Sequence, residues 1–193
     1  MKRLLFFSNN KNKVIEIKKI FSKFNLELLS LKDLNMIEEP EESGQTFEEN
    51  AKIKSDYGFN KTGIPCFADD SGICIESLNW EPGVLSKRFL NSFKSNEVCF
   101  ASIIKSTKKY SKQNAYFKTS ISLTVKSNQN VIFNGKIDGK ISEQAKGRYG
   151  FGYDPVFIPK NYNKTLAELS TKEKNEISHR SIAVTKLINF LIN

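Results

Sequence analysis

The order of apolar and polar segments near the start of the chain constrains the fold most. Arg3 to Ser8 form a short apolar run typical of a buried strand, and Leu26 to Ser30 have the same character. Between them lies a predicted helix, and its apolar residues recur on one face at Ile17, Ile20, Phe21 and Phe24. A strand, a helix and a second strand in this order predict a βαβ unit with a parallel pair of strands.

The middle of the chain continues this mixed pattern. A second helix is predicted from Thr46 to about Phe59, because Thr46 and Glu49 have the spacing of a capping box. Two short strands, over residues 64–68 and 72–78, are predicted on either side of an acidic turn at Asp69 to Ser71. A further helix is predicted from Ser95 to Thr107, with its apolar face at Val98, Ile103 and Ile104.

The last third of the chain begins with strand-like alternation. From Ala115 to Ile141, apolar and polar residues alternate around a turn at Ser127 to Asn130, which predicts a long antiparallel hairpin. A glycine-rich segment, a short strand ending at Ile158 and a final helix follow, and the apolar stripe of that helix is Val184, Leu187, Ile188 and Leu191. We therefore expect an α/β fold in one domain over residues 1–193.

The composition of the chain indicates the kind of partner that it binds and the compartment in which it works. The chain has 30 Lys and Arg against 21 Asp and Glu, a net charge of +9, which suggests an anionic partner: a nucleic acid, a membrane surface or a polyphosphate. No apolar run approaches the roughly 20 residues that a membrane span needs, so we expect a cytoplasmic protein. The odd number of cysteines, without metal-ligand spacing, predicts buried free thiols at Cys66, Cys74 and Cys99.

A polar turn between the first strand and the first helix is a candidate phosphate site. The N-terminus of a helix offers N–H groups and a partial positive charge, to which a lysine on the first turns adds a full charge. Without glycines the turn is not a P-loop, and an ordinary solvated turn stays open as the alternative. Its residues are Ser8, Asn9, Asn10, Lys11, Asn12 and Lys13.

Acidic residues are concentrated in two short stretches, a loop from Glu38 to Gly44 and the Asp69–Asp70 pair. Carboxylate oxygens are the ligands that Mg²⁺ prefers, and it commonly keeps substrate phosphates among its remaining ligands. These stretches therefore suggest a magnesium site. In the alternative, Glu49 only closes the capping box, the loop is solvated and the aspartates form a hairpin turn.

Two segments near the end of the chain are candidates for nucleotide contacts. Phe151 to Asp154 offer aromatic faces and accessible backbone for a planar base. The second segment contains Lys174, the single histidine His179, and Arg180. A structural role for the histidine and a place on the helix surface stay open as alternatives.

Together these segments resemble the inosine triphosphate pyrophosphatase family. The resemblance rests on motifs that occur in the family's order: Ser8 to Glu16, Thr46-Phe47-Glu48-Glu49-Asn50-Ala51, Ala68-Asp69-Asp70-Ser71-Gly72, Pro82-Gly83-Val84 with Ser86 and Arg88, and the two C-terminal segments. It implies an α/β fold with a long twisted mixed sheet flanked by helices, in two lobes with an active-site cleft between them. It also implies a homodimer.

The resemblance further implies an activity and the roles of residues. The expected reaction is hydrolysis of ITP, dITP or XTP at the α-phosphorus, with Mg²⁺, to the nucleoside monophosphate and pyrophosphate. Asp70 would be the catalytic base and a metal ligand together with Glu41 or Glu42, while Glu49 would lie nearby. The substrate would contact Ser8, Asn9, Asn10, Lys11, Asn12, Lys13, Ser71, Phe151, Gly152, Tyr153, Asp154, Lys174, His179 and Arg180.

One departure and two alternatives accompany this interpretation. Asn9 stands where the family usually has glycine, so the turn would be strained if that position needed a positive φ. The related Maf-like pyrophosphatases are a near alternative, although their opening Ser-x-Ser-Pro-Arg-Arg pattern is absent. A basic nucleic-acid-binding protein is the second, but the basic residues are scattered, and we expect no stable nucleic-acid binding.

Overall fold

The computed structural model describes residues 3–24, 26–127 and 129–192. These residues form a mixed six-stranded sheet in the order β2-β1-β3-β4-β5-β6. Its strands are β1 Arg3–Phe6, β2 Glu27–Ser30, β3 Cys66–Ile75, β4 Asn114–Lys126, β5 Gln129–Ile141 and β6 Phe157–Pro159. The α-helices are α1 Lys11–Phe21, α2 Phe47–Thr62, α3 Ser86–Asn91, α4 Asn96–Tyr110, α5 Thr171–Ile177 and α6 His179–Ile192.

The predicted βαβ opening is confirmed. Strand β1 pairs in parallel with β2, with Arg3 opposite Glu27, and also in parallel with β3. Strand β1 ends at Phe6 and not at Ser8, and α1 ends at Phe21, so Phe24 packs against the core from the following turn. The parallel pairs and the antiparallel pair β5–β6 together make the sheet mixed.

Helix α2 begins as predicted. Thr46 Oγ1 accepts a hydrogen bond from the Glu49 N–H at 3.2 Å, and Glu49 Oε2 accepts one from the Thr46 N–H at 3.0 Å. This reciprocal capping box satisfies N–H groups that the first turn of a helix leaves unpaired. The helix continues beyond Phe59 and ends at Gly63, which has a φ of 67° and donates its N–H to the Phe59 carbonyl.

The prediction of two strands around an acidic turn is wrong. Residues 66–75 form one continuous strand, β3, with Asp69 and Asp70 in its middle. Local sequence favours a turn because charged side chains are unfavourable in a buried strand. Lysine and arginine side chains from distant helices neutralise these carboxylates, so the strand continues through them.

The region of the predicted hairpin forms β4 and β5, which are neighbours in the sheet. Only residues 127 and 128 connect them, which is too short for a parallel crossover. Asn128, inside the predicted turn, lies outside the described residues. The helix predicted from Ser95 is α4, but Val98 on its expected apolar face is 48% exposed.

The described residues form two compact units. One is drawn from Met1–Asp70, Thr119–Gly135 and Arg180–Asn193, and the other comprises Ser71–Lys118 and Lys136–His179. In the first unit, α1 and α6 pack on one set of strand side chains, among them Leu4, Phe6, Phe67 and Ile121. In the second, α4 packs against residues of the sheet that include Ile73, Phe117 and Phe157. A single domain with a cleft between two lobes stays a prediction.

The three cysteines are buried and free, as the sequence predicted. Burial raises the pKa of the Cys66 thiol, and it raises the pKa of the Cys99 thiol to about 11. Among the described residues, no helix has the length and apolar character needed to cross a membrane.

Candidate active site

The candidate site is built around two carboxylates that are adjacent in β3. Successive side chains of a strand point to opposite faces of the sheet. Asp69 accordingly contacts α1 and α6, whereas Asp70 contacts α2. Both side chains are buried, and each meets positive charge delivered by a helix.

Asp69 holds two cations. Its Oδ2 atom lies 3.0 Å from Lys13 Nζ and 3.3 Å from Arg180 Nε, and Arg180 Nη1 lies 2.5 Å from Glu16 Oε2. Burial alone would raise the pKa of Asp69, but the charges of Lys13 and Arg180 outweigh it and hold this pKa far below its usual range. Burial lowers the pKa of Lys13, and Asp69 offsets only part of this effect.

Asp70 lies in a different environment. Asn50 Nδ2 donates a hydrogen bond to Asp70 Oδ2 at 3.2 Å, and Lys54 Nζ lies 3.8 Å from Asp70 Oδ1. Burial raises the pKa of Asp70, and the charge of Lys54 offsets this only in part. Asp69 is therefore a fixed anion, whereas the pKa of Asp70 is raised.

Lys54 connects Asp70 with the acidic loop. Its Nζ atom lies 2.7 Å from Glu42 Oε1, so one lysine lies between two carboxylates. Burial would lower the pKa of Lys54, but the charges of Asp70 and Glu42 outweigh it and raise this pKa. Lys54 is therefore a fixed cation at the candidate site.

The acidic loop is also held by two asparagines. Asn50 Oδ1 accepts the Gly44 N–H at 2.8 Å, so the same amide that donates to Asp70 fixes the end of the loop. Asn9 donates its backbone N–H to Glu39 Oε1 at 2.8 Å and its side-chain Nδ2 to the Ile37 carbonyl at 2.9 Å. Asn9 is not among the residues with positive φ, so the absence of glycine does not strain the turn.

The polar turn caps α1 with its own side chain. Asn10 Oδ1 accepts the N–H groups of Asn12 and Lys13 at 3.0 and 3.3 Å. Ser8 Oγ accepts the Asn10 N–H at 3.2 Å, while Lys11 and Asn12 are exposed. Asn10 therefore satisfies the N–H groups of Asn12 and Lys13, and phosphate binding by this turn stays a prediction. Within this turn, the Lys13 side chain reaches the buried carboxylate Asp69.

The second unit contains the aromatic part of the predicted site. Asp154 Oδ2 accepts the Phe151 N–H at 2.8 Å and lies 2.7 Å from Lys174 Nζ. Lys174 Nζ lies 4.8 Å from the centre of the Phe151 ring. Gly152, with a φ of 63°, completes the turn. A lysine, a carboxylate and an aromatic ring are therefore assembled around one tight turn.

Tyr153 and His179 are packing residues in this structure. Tyr153 is buried and donates its hydroxyl to the Ser86 carbonyl at 2.7 Å. His179 stacks on Phe117 with ring centres 4.7 Å apart. Arg180 is 3% exposed, so the alternative that this segment is helix surface is wrong.

Ser71 follows Asp70 in β3, and the Pro82–Gly83 segment lies close to the next residue. A Cβ atom on Gly72 would overlap the Gly83 carbonyl oxygen and Ser86 Oγ. Ser86 Oγ also accepts the Ile73 N–H at 2.9 Å. The segment from Gly83 to Ser86 therefore packs directly on β3 at Gly72.

The described residues do not form a preorganised metal site. Across residues 3–24, 26–127 and 129–192, no three or more carboxylate, histidine or cysteine side chains cluster closely enough to hold a metal ion. Glu41 is exposed, and Glu49 Oε2 is engaged in the capping box. The expected convergence of Asp70 with Glu41, Glu42 and Glu49 is thus corrected to Asp70 and Glu42 with Lys54 between them. One or two carboxylates with substrate phosphates are a common Mg²⁺ ligand set, so these residues fit that ion.

Three contributors were not assigned roles from the sequence: Glu16, Asn50 and Lys54. A local signal existed for two of them, because Asn50 and Lys54 are four residues apart and therefore share one face of α2. Both are polar and buried, at 2% and 5% exposure, on the helix face that meets β3. Buried polar residues on one helix face indicate a specific partner.

The mixed sheet and these paired charges define a class of protein: an α/β protein whose site combines fixed cations with a buried carboxylate, suited to a phosphate-bearing ligand. Comparison with known proteins agrees. The chain belongs to the Ham1 family, whose model matches residues 4–190.

Relatives match along nearly the whole chain. The dITP/XTP pyrophosphatases of Christiangramia forsetii and Flavobacterium johnsoniae are 44% and 42% identical to it, over 98% of this chain and 98% and 97% of theirs. A solved HAM1 protein from Coxiella burnetii has a TM-score of 0.89 at 32% identity, covering 100% of this chain and 99% of its own.

Proposed function

We propose that this protein hydrolyses deaminated purine nucleoside triphosphates, ITP, dITP and XTP, to the nucleoside monophosphate and pyrophosphate. Two whole-chain relatives with more than 40% identity are named dITP/XTP pyrophosphatase. The observation that carries the proposal is the buried carboxylate Asp70 with a raised pKa, held by Asn50 and flanked by the cation Lys54. We also propose that the protein is a cytoplasmic homodimer with one catalytic domain over residues 1–193.

The proposed catalytic step assigns the proton to Asp70. This carboxylate accepts a proton from the attacking water, and its raised pKa brings it closer to the pKa that a base needs at neutral pH. Lys54 and Lys13 lie beside the two carboxylates and stabilise negative charge on the polyphosphate. Because Arg180 is committed to Asp69 and Glu16, we assign it the positioning of Asp69 instead of a contact with the base.

Asp70 and Glu42 are the proposed ligands of Mg²⁺, with phosphate oxygens of the substrate completing the set. Bound there, the metal would lower the pKa of water and neutralise charge on the transferring phosphoryl group. Glu42 is preferred over Glu41 because its carboxylate already faces the same lysine as Asp70, whereas Glu41 is exposed.

Base recognition is proposed for the turn at Phe151 to Asp154 with Lys174. Lys174 Nζ lies 2.7 Å from Asp154 Oδ2 and 4.8 Å from the centre of the Phe151 ring. An ammonium at this turn suits the 6-keto oxygen of hypoxanthine or xanthine, which accepts a hydrogen bond, where adenine presents an amino group. A site that leaves a buried polar group unpaired with the wrong base discriminates by up to about 10⁴ to 10⁵.

The decisive experiment measures pyrophosphate release from ITP, dITP, XTP, dUTP, ATP and GTP, with and without Mg²⁺. We expect deaminated purines to have the highest kcat/KM, and activity to require the metal. Equal rates with all purine nucleotides would indicate a general pyrophosphatase, and no pyrophosphate release from any of them would refute the proposal.

Three substitutions and one matched control separate the roles. Asp70→Asn should lower kcat by at least about 10²-fold, the range that a general base contributes. Glu42→Gln should weaken Mg²⁺ activation, whereas the matched Glu41→Gln should behave like the wild type. Lys174→Met should reduce the preference for ITP over ATP. An Asp70→Asn variant that turns over ITP at the wild-type rate would rule out Asp70 as the base.

A further inference from the structure

The second unit contains a groove that none of the proposed active-site residues lines. It encloses about 700 Å³ and is bordered by β4, β5, β6 and the segment before Pro82. Aromatic and cationic side chains dominate its wall: Trp80, Tyr116 and Tyr162 with Lys136, Lys140 and Lys160. Its volume is in the usual range of ligand sites, which is about 300 to 1,000 Å³.

The aromatic side of this groove includes a residue with an unfavourable backbone conformation. Trp80 has a φ of 68°, which is uncommon for a bulky residue, and its N–H donates to the Ile75 carbonyl at 2.8 Å. Its ring is tilted against Tyr116 with centres 5.5 Å apart, yet 46% of the residue is exposed. Tyr162 is 42% exposed. A strained backbone that holds a large ring in solvent indicates a role for that ring.

The cationic side of the groove carries three lysines, one of which is paired with an aspartate. Lys136 pairs with Asp138 at 2.7 Å and covers the Tyr116 ring at 4.3 Å. Lys140 and Lys160 are exposed, and within the described part of the chain neither is paired with a carboxylate. Lys136 and Lys140 lie on the same face of β5, about 13 Å apart at 3.3 Å per residue. Lys160 adjoins them, because its N–H donates to the Asp138 carbonyl at 2.8 Å.

We propose that this groove binds a short segment of single-stranded nucleic acid. Exposed aromatic rings stack bases without regard to sequence, and lysines along a groove contact successive phosphates, which is how such segments are held. One phosphate cannot reach both Lys136 and Lys140, whereas successive phosphates of a strand can. This binding is weak and salt-sensitive. It is therefore compatible with the scattered basic residues of the sequence, which argue only against a stable complex with nucleic acid.

A second copy of this chain fits the groove less well. In a twofold dimer the same patch meets itself, so three lysines and one aspartate of each copy would face their equivalents. Unpaired lysines are depleted from the centres of protein interfaces because they are expensive to desolvate. A polyanion, in contrast, neutralises them.

The test uses the fluorescence of Trp80, which is the only tryptophan in the chain. Titration with an oligothymidylate of about 12 nucleotides should quench it, since the bases stack on that ring. With two to three lysine–phosphate contacts, the slope of log K against log salt should be about −1.4 to −2.1, or about 7- to 18-fold weaker binding from 50 to 200 mM salt.

A matched pair of variants locates the site. The double substitution Lys140→Gln/Lys160→Gln should remove most of the binding and about 1.4 from the salt slope, because two phosphate contacts are lost. Lys105→Gln/Lys108→Gln changes the net charge equally at exposed positions of α4, outside the groove, and should bind like the wild type. The oligonucleotide carries no triphosphate, so the result is independent of the proposed hydrolysis.

Four outcomes would overturn the proposal. They are an unchanged Trp80 emission on titration, equal quenching by thymidine monophosphate, and equal weakening by both double variants. The fourth is an emission that changes with protein concentration alone, which would show that a second copy covers the groove.

Discussion

Asp69 and Asp70 are adjacent and both buried, yet their replacement by asparagine should change the free energy of unfolding by very different amounts. Asp69→Asn removes the carboxylate that compensates Lys13 and Arg180, whose side chains are 14% and 3% exposed. Removing one partner from a buried ion pair leaves an uncompensated charge and costs about 3 to 5 kcal/mol. Arg180 retains Glu16, so the loss should lie near the lower end of this range.

Asp70→Asn should change stability by no more than about 1 kcal/mol. Burial raises the pKa of Asp70, so its charged form is already unfavourable in the folded state, and a neutral amide removes that penalty. Lys54 keeps Glu42 as a partner at 2.7 Å, and Asn50 can still donate to an oxygen at position 70. The same substitution should abolish most of the catalytic activity, so stability and activity separate at this position.

Urea unfolding at pH 7 measures both losses. With an m-value of about 2 kcal/mol/M, Asp69→Asn should lower the midpoint by about 1.5 M, and Asp70→Asn should shift it by less than about 0.5 M. The exposed pair Lys18–Asp33 supplies a control, because Asp33→Asn should also move the midpoint little. Equal losses from the two adjacent substitutions, or a loss below about 1 kcal/mol for Asp69→Asn, would refute this account of the strand.

Three further predictions concern local geometry and titration. Gly150→Ala should raise the KM for ITP and lower the Tm, because a Cβ would overlap Asp154 Oδ2. Gly152→Ala carries a similar positive-φ strain but its Cβ meets no atom within 4 Å, so the Tm should fall less than in Gly150→Ala. Asp33→Asn should lower the free energy of unfolding by less than about 1 kcal/mol at pH 7, since 40% of the Asp33 side chain is exposed. The hydrogen bonds of Ser30 lower the pKa of Asp33 to about 2. The urea midpoints of the wild type and the variant should therefore differ above about pH 4 and converge as the pH falls towards 2. A thiol reagent at pH 8 should label the native protein slowly and the denatured protein rapidly at Cys66, Cys74 and Cys99.

The sequence predicted those elements whose determinants are local. The capping box at Thr46 and Glu49 is contained within four residues, and the apolar stripe of α6 repeats at helical spacing, so both were found. Strand β3 was missed because its stability depends on partners far away in the chain. Arg180 is 111 residues from Asp69 in sequence. The local sequence around Asp69 therefore does not indicate that the charge of Arg180 stabilises a buried aspartate there.

The candidate site shows the same division between local and distant causes. The order of the motifs indicated Asp70, Lys13 and Lys174, but not which oxygen atom each nitrogen atom contacts. The alternation of side chains along a strand gives part of the answer: because Asp69 and Asp70 are consecutive, their side chains lie on opposite faces of the sheet. One face then receives α1 and α6, which fix an anion with Lys13 and Arg180, and the other receives α2, which leaves Asp70 with a raised pKa. An acidic pair in the middle of a buried strand therefore places its two carboxylates in different environments, and here only Asp70, with the weaker compensation, has a raised pKa, which is why we propose it as the base.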